Sequence, residues 1–375
     1  MTADCFESSD LDSILSVRPS CKRVFDYVAA GLSQHFELHL DKLDKVAELV
    51  GDLTKERYPT GVIPYHSRMR HFPKEMLSSL DSSDRSELSK RLFDLVTVSV
   101  LLDAGAGATW KFVEGNQSFN RSEGLGVASL VLFKKGFFST SPENLPLQVN
   151  SERLMNLTLT DFTVSLQVSV DNPLKGIEGR FELLRHLGRR LKELQLDRPC
   201  DLLVGISDIA ETGCLQLPKL WKFLFFALAT IWPKKDIWLH SSLGIEIPFH
   251  KLFQWLLYSY VEVLEISTDF TVSGKELQTG LPEYRNGGLF VDMGVLEVKQ
   301  KKFPGAPYSV DSELVVEWRA CTVVLLDLLK EKKFPGLPLC CMLEGGTWVA
   351  GRKIAATRRE GGDSPIPLLL DGTIF

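Results

Sequence analysis

The sequence predicts a mainly α fold in a single compact domain with a small β appendage near the C-terminus. Three observations lead there. Apolar residues recur at three- and four-residue steps along most of the chain, short apolar runs bounded by Gly and Pro occur only late in it, and no hydrophilic linker, repeat or low-complexity tract interrupts it. With 375 residues, 44% of them hydrophobic, the chain can bury a sizeable core. The expected organisation is a flexible N-terminus over residues 1–10 and one helical domain over 11–375 that carries the site.

In chain order, Leu15, Val17, Val24, Val28 and Leu32, then Leu38, Leu40, Leu43, Val46 and Leu49, mark two helices with a short junction. Ser83 and Ser86 precede an apolar run over 92–102 that suits a central helix ending near Gly105 and Gly107, and its end delivers Asp103 and Trp110 into a loop. Gly115, Gly124 and Gly126 predict a shaped loop before a short apolar helix over 127–133 that stops at Gly136. The stretch LTLTDFTVSLQVSVDNP alternates like a strand, yet Leu159, Phe162, Leu166 and Val170 form a helical stripe and Thr160 and Asp161 are cap-type residues, which favours helix. Further helices are expected over 177–196, 218–231, 249–264 and 314–329, and strands at 289–298 and 366–375.

A net charge of −5 gives no global attraction for polyanions, and no basic cluster is large enough to hold a nucleic-acid polymer or an anionic membrane. The apolar stretch from Leu220 to Trp232, broken by Lys222, reads as a buried helix and not a membrane span. The opening MTADCFESSDLDSIL has neither the basic nor the apolar part of a signal peptide, so a cytoplasmic, reducing location is expected. Cys5, Cys21, Cys200, Cys214, Cys321, Cys340 and Cys341 show no CxxC spacing and read as free thiols, none with a base beside it.

Five segments mix charge, aromatics and glycine as ligand sites do: YHSRMRHF, LLDAGAGATW, NRSEGLG, LPEYRNGGLF and LEGGTWVAGR. The first sets Arg68, Arg70, His66 and His71 within six residues. A phosphate or carboxylate ligand suits that patch, and so do internal salt bridges to acidic residues from elsewhere in the chain. His66 and His71 have no Cys or Asp beside them, so no metal is expected. The phosphate-binding loop, the dinucleotide fingerprint and the nucleophile elbow are all absent, and no cofactor is expected.

What remains is carboxylate chemistry. Glu283 and Glu317 head two Glu-aromatic-Arg units, Glu283-Tyr284-Arg285 and Glu317-Trp318-Arg319, which can interlock. A carboxylate beside arginine stays ionised, and can stabilise a developing oxocarbenium ion or activate water. The other reading is a buried Glu/Arg network that holds two segments together. Lys251 and Gln254 share one face of an otherwise apolar helix; Lys251 either snorkels from the helix start or orients the carboxylate.

Together YHSRMRHF, LLDAGAGATW, RSEGLGVASL, VDNPLKGIEGR, PFHKLFQWLLYS, QTGLPEYRNGGLF, VEWRACTV and LEGGTWVAGR resemble the uracil catabolism protein 4 family, from about Leu11 to Phe375. That resemblance implies a uracil-degrading route through a ribosylurea-type intermediate. A second, weaker resemblance is to the queuosine 5′-phosphate N-glycosylase (queuosine salvage protein) family, whose L-D-A-x5-W, K-x2-Q, D-Y-R and E-aliphatic-R-x-C segments align with Leu102-Asp103-Ala104 and Trp110, Lys251 and Gln254, Glu283-Tyr284-Arg285, and Glu317-Trp318-Arg319 with Cys321. It implies a helical fold related to DNA glycosylases, with Glu283 as the catalytic carboxylate and Lys251 in the active site. Glu stands here where that family has Asp, Trp318 replaces its aliphatic residue, and Asn286-Gly287-Gly288 replaces Val-Pro-Gln, departures that point away from queuosine and towards a smaller leaving group such as urea.

The resulting expectation is an N-ribosyl hydrolase acting on a small ribosyl substrate, ribosylurea or its 5′-phosphate. Glu283, Lys251 and Glu317 form its catalytic set. Asp103 would bond ribose hydroxyls and Trp110 would offer a packing surface; Arg68, Arg70 and His71, with Arg121 in reserve, would bind a phosphate; Tyr284, Arg285 and Gln254 complete the binding set. Two alternatives stand beside it: a non-catalytic binding protein for a uracil-derived nucleotide, and a hydrolase of a ureido or amide C–N bond.

Overall fold

A computed structural model describes residues 11–299 and 307–375; the expected flexible tail over 1–10, with Cys5, lies outside the described residues. The chain is mainly helical, as expected, and falls into two compact units, each assembled from three stretches of chain. The first comprises the described residues of Met1–His66 and Lys275–Leu369 together with Lys234–Gln254; the second comprises Ser67–Pro233, Trp255–Gly274 and Leu370–Phe375. The helix Lys251–Ser267 gives its first four residues to the first unit and the rest to the second.

The first unit is organised by the helix Glu313–Lys333, which is buried on every side from Leu314 to Leu326. A helix apolar all round belongs in the middle of a core, and the helix Ile14–Ala29, capped by the Ser13 hydroxyl on the Leu15 amide, packs along it. The helix Tyr284–Asp292 lies against both Glu313–Lys333 and Trp348–Arg358. Leu339–Met342, a π-helical turn Leu343–Thr347 and Trp348–Arg358 run on from one another; π turns inside α-helices concentrate at functional positions. Two small antiparallel pairs complete the unit, Phe36–Leu38 with Leu296–Val298 and Ile237–His240 with Ile245–Pro248.

In the second unit the helix Arg85–Leu101, capped by Asp84, occupies the middle. Its wholly buried Asp94 accepts the amides of Val149 (3.0 Å) and Cys200 (2.9 Å) and the Nε–H of Arg198 (2.8 Å), tying two loops to the core. At its C-terminal end the carbonyls lack helical partners. Arg180, wholly buried at the start of the helix Ile177–Glu193, supplies them: Nε donates to Leu102 O (2.8 Å) and Nη2 to Ala104 O (2.6 Å), fixing the backbone on both sides of Asp103. Tyr260 stacks on Phe93 with ring centroids 3.8 Å apart. A hairpin, Lys111–Glu114 with Gln117–Asn120, and one parallel pair, Cys214–Gln216 with Thr271–Ser273, lie in this unit.

The helices expected over 177–196, 218–231, 249–264 and 314–329 are present, and the stretch after residue 156 forms the helix Leu159–Ser165 with Thr158 as its cap. The strand expectations need correction. Only Leu296–Val298 of 289–298 is strand, because Glu283 starts a helix that runs to Asp292; of 366–375 only Leu368 makes a bridge, to Tyr308. Gly124 and Gly126 lie inside the helix Arg121–Lys134 and not in a loop before it. They let it approach its neighbours: a Cβ on Gly124 would meet Phe119 O and the Trp110 ring at about 3 Å. The described cysteines are free thiols, and among the described residues no helix is long and apolar enough to cross a membrane.

At Gly351 the helix Trp348–Arg358 comes close to Tyr284–Asp292, since a Cβ there would overlap the Arg285 carbonyl oxygen. Gly351→Ala is expected to destabilise the protein by about 1–3 kcal/mol, read as a lower urea midpoint relative to the parent.

Candidate functional site

The sequence-predicted residues fall into two groups, one in each unit. In the first unit Glu283 is the N-cap of Tyr284–Asp292: its oxygens accept the amides of Arg285 (2.5 Å) and Asn286 (2.6 Å). Burial pushes the Glu283 carboxyl above its ordinary value, against the two amides and the charges of Lys251 and Arg285, which draw it down. Each oxygen keeps capacity for a further donor. Lys251, 7% exposed, begins its helix with its amide on Asp236 Oδ2 (2.9 Å). Gln254 takes a structural place, with Nε2 on Phe249 O (3.1 Å) and Thr279 Oγ1 (2.8 Å) and Oε1 on the Thr279 amide (2.9 Å).

The two Glu-aromatic-Arg units do not interlock through their own charges. Arg285 donates to Gly362 O (2.7 Å) and lies over the half-buried Tyr284 ring at 4.7 Å. Arg319 pairs bidentately with Asp236, Nη1 to Oδ1 and Nη2 to Oδ2, both 2.7 Å, and its Nε donates to Pro282 O at 3.3 Å. Glu317 is 1% exposed and accepts from Ser33 Oγ (2.5 Å) and His240 Nε2 (3.3 Å). These partners make Glu317 a tie between Glu313–Lys333 and the Ile237–His240 strand, made through a serine and a histidine and not through the expected Glu/Arg network.

In the second unit Asp103 accepts from Arg68 Nη1 (3.0 Å), Ser122 Oγ (2.5 Å) and Trp255 Nε1 (3.0 Å). Arg68 is wholly buried, with Nε on Ser99 Oγ (2.7 Å) and Nη1 also donating to His71 Nδ1 (2.8 Å). Arg70 pairs with Glu262, which also accepts from Ser67. The cationic patch is thus engaged in salt bridges to acidic residues from distant segments, the second of the two readings of YHSRMRHF. Arg121 opens its helix at a positive φ of 56°. Trp110, expected as a surface for ligand packing, is instead wholly buried against Gly124, with Nε1 donating to Leu166 O (3.0 Å).

With this geometry in view, residues 10–375 match the family described as protein of unknown function (DUF1688). The chain belongs to that family. It is 38% identical to the protein named Protein urg3 of Schizosaccharomyces pombe over 395 residues, covering 97% of this chain and 98% of that one. It is 36% identical to the Lachancea kluyveri protein named Uracil catabolism protein 4 over 431 residues, with the same coverage of each.

Sequence reasoning on this DUF1688 chain missed Asp236, His240 and Glu344 as organising groups. Asp236 follows Lys234 and Lys235 and resembles any surface charge run, so no local signal exposes it; Glu262, between Val261 and Val263 on a mostly apolar helix, carried a usable one. Among the described residues, His240, Glu313 and Glu317 could converge on a metal ion. His240 Nδ1 accepts the Leu243 amide (3.1 Å), which leaves Nε2 as the donor to Glu317, while Glu313 lies on the Nδ1 side at 3.4 Å. His240 and Glu317 are thus hydrogen-bonded to each other, while Glu313 accepts the Ser242 amide (2.7 Å). An open cavity of about 550 Å³ in the second unit, lined by residues that include Arg85, Lys90, Asp201 and Asp269, contains none of the predicted site residues.

In the π-helical turn of the first unit, Glu344 accepts from His66 Nδ1 (2.8 Å), Tyr58 Oη (2.9 Å) and Arg57 Nη2 (3.0 Å). Burial raises its carboxyl, but these partners outweigh burial and hold it at about 2, from an ordinary 4.5. A depressed folded-state value means stability that is present above the unfolded value and lost as the pH falls through the folded one. Glu344→Gln is therefore expected to cost on the order of 3 kcal/mol at pH 7. Urea titrations should show the gap between parent and variant narrowing as the pH falls from about 5 towards 2.

Proposed function

We propose that this protein hydrolyses the N-ribosyl bond of a uracil-derived intermediate, ribosylurea or its 5′-phosphate, releasing urea and the sugar. The observation that carries the proposal is Glu283: a carboxylate pushed upward by burial, held at a helix N-terminus by two amides, and under the charge of Lys251. The relative named Uracil catabolism protein 4 supports the substrate class. The order of the Lys251, Glu283 and Glu317 segments, similar to that of the queuosine 5′-phosphate N-glycosylase family, supports the reaction type and a DNA-glycosylase-related fold.

Under this reading the C1′–N bond breaks with its electron pair retained by the ureido nitrogen, and positive charge develops on the sugar. Glu283 opposes that charge and takes a proton from the water that adds at C1′. Lys251 donates to the ureido oxygen or nitrogen, so that urea leaves neutral. Glu317 contributes by holding its helix in register through Ser33 and His240.

A second reading draws on the same cap. A carboxylate with both oxygens on backbone amides is a fixed acceptor, which also suits a protein that binds the intermediate and hands it on. Tight binding without product would favour that reading.

Purified protein incubated with ribosylurea and with its 5′-phosphate should release urea and free sugar from one of them, detected by mass spectrometry. Glu283→Gln should lower turnover by about a thousandfold while changing unfolding free energy by no more than about 1 kcal/mol, the scale of a cap. Substantial activity in that variant would sink the assignment. Because burial raises the Glu283 value, the acid limb of the kcat/KM profile should have its midpoint above the 4.5 of an ordinary glutamate; a midpoint at or below 4.5 would count against Glu283 as the base.

A further inference from the structure

Asp236 is 2% exposed and receives four hydrogen bonds on two oxygens. Arg319 fills one position on each (2.7 Å), Trp238 Nε1 donates to Oδ1 (2.7 Å), and the Lys251 amide donates to Oδ2 (2.9 Å). The helix that begins at Lys251 therefore takes an acceptor for its first amide from a residue fifteen positions upstream. The Asp236 main chain holds the same segment, its carbonyl accepting the Phe249 amide at 3.0 Å.

Arg319 extends the arrangement in the other direction. Its Nε donates to Pro282 O, one residue before Glu283, and its guanidinium lies 4.1 Å from the centre of the buried Phe249 ring, two residues before Lys251. One buried ion pair thus grips the residues that lead into both Lys251 and Glu283. The backbone is strained around it: Lys234, Lys235 and Asp236 all have positive φ (48°, 54° and 60°), and so does His250 at 48°. Non-glycine residues rarely adopt that conformation singly, and a run of three persists only where surrounding contacts over-determine it. His250 is fixed as well, its ring nitrogens on Lys235 O (2.6 Å) and Leu11 O (2.8 Å).

We propose that Asp236, through its bidentate pair with Arg319, is a positioning residue that sets the Lys251 amine and the Glu283 carboxylate relative to each other. The proposal rests on the reading of Lys251 and Glu283 as the reacting pair. Asp236 and Arg319, 2% and 1% exposed, would act through the residues they hold and not by contact with substrate. A purely structural ion pair would affect how much protein folds and leave the chemistry of the folded fraction unchanged. A positioning pair changes kcat, because a displacement of about 1 Å at reacting groups can cost about a hundredfold in rate.

The test uses Asp236→Asn/Arg319→Met, which removes both charges and leaves neither buried alone, together with Arg319→Lys, which keeps the charge balance but loses the second tooth and the tie to Pro282. Each variant is assayed with ribosylurea and its 5′-phosphate for kcat, KM and the pH profile, normalised to the folded fraction by circular dichroism. Competitive labelling of lysine amines with acetic anhydride, read by mass spectrometry, follows Lys251 without any substrate. The expected result is a fall in kcat of about a hundredfold in the double variant, KM within about threefold of the parent, a displaced acid limb, an intermediate Arg319→Lys, and a changed Lys251 labelling rate. Parent-like kcat and Lys251 labelling in folded double variant would overturn the proposal. Should the parent release no product from either substrate, the hydrolase reading fails by itself, and labelling alone then decides: a changed Lys251 rate upholds the positioning role and an unchanged one overturns it. Should the double variant not fold, Arg319→Lys carries the same comparison.

Discussion

The ion pair between Asp236 and Arg319 is the constraint around which the first unit is arranged. That unit draws on separated stretches of chain, and the pair locks the stretch containing Lys251 to the central helix Glu313–Lys333. Removing two charges from water costs several kcal/mol per ion, and attraction in the interior offsets that cost only when geometry and remaining hydrogen bonds are close to complete. Here both carboxylate oxygens carry two donors and the guanidinium also bonds a carbonyl and covers an aromatic ring. Breaking one side would leave a buried charge unpaired, so the segments cannot drift independently of one another.

The same logic recurs at other carboxylates. Glu344 gathers His66, Tyr58 and Arg57; Glu317 gathers Ser33 and His240; in the second unit Asp94 gathers two amides and Arg198, and Asp103 gathers Arg68, Ser122 and Trp255. Each set joins elements far apart in sequence. Glu283 differs from them in where its partners lie. Its two short hydrogen bonds are local, to the first turn of the helix it caps, and among the described residues no ion pair holds it; burial pushes its carboxyl upward, as it does that of Asp94, whereas that of Glu344 is held down. A carboxylate that is fixed in place without being neutralised by a strong ion pair is the kind of group that proton transfer and cation stabilisation need.

Helices were legible in the sequence because their apolar periodicity is local: 177–196, 249–264 and 314–329 all carry it unaided. Short strands were not, because each is three or four residues long, too short to set a pattern, and some are defined by a partner from a distant segment, as Phe36–Leu38 is by Leu296–Val298. The stretch 289–298 misled because an apolar run fits helix or strand equally, and what decided it was the Glu283 cap upstream. Residue type and spacing single out Glu283, Lys251 and the Glu-aromatic-Arg units as candidates, but not their partners. Arg319 was expected in a Glu/Arg network and bonds Asp236, and Trp110 was expected to offer a packing surface to a ligand and lies in a core, since pairing and burial are decided by tertiary packing that no local pattern records.

The proposed reaction breaks the bond at the anomeric carbon, under a fixed carboxylate, and not at the ureido carbonyl. The most direct measurement is turnover in ¹⁸O-enriched water, with the sugar reduced by borohydride as it forms to prevent exchange and both products analysed by mass spectrometry. The expected result is ¹⁸O at C1 of the reduced sugar and unlabelled urea. Label in carbon dioxide accompanied by ammonia in place of urea would place the attack at the ureido carbonyl and contradict it.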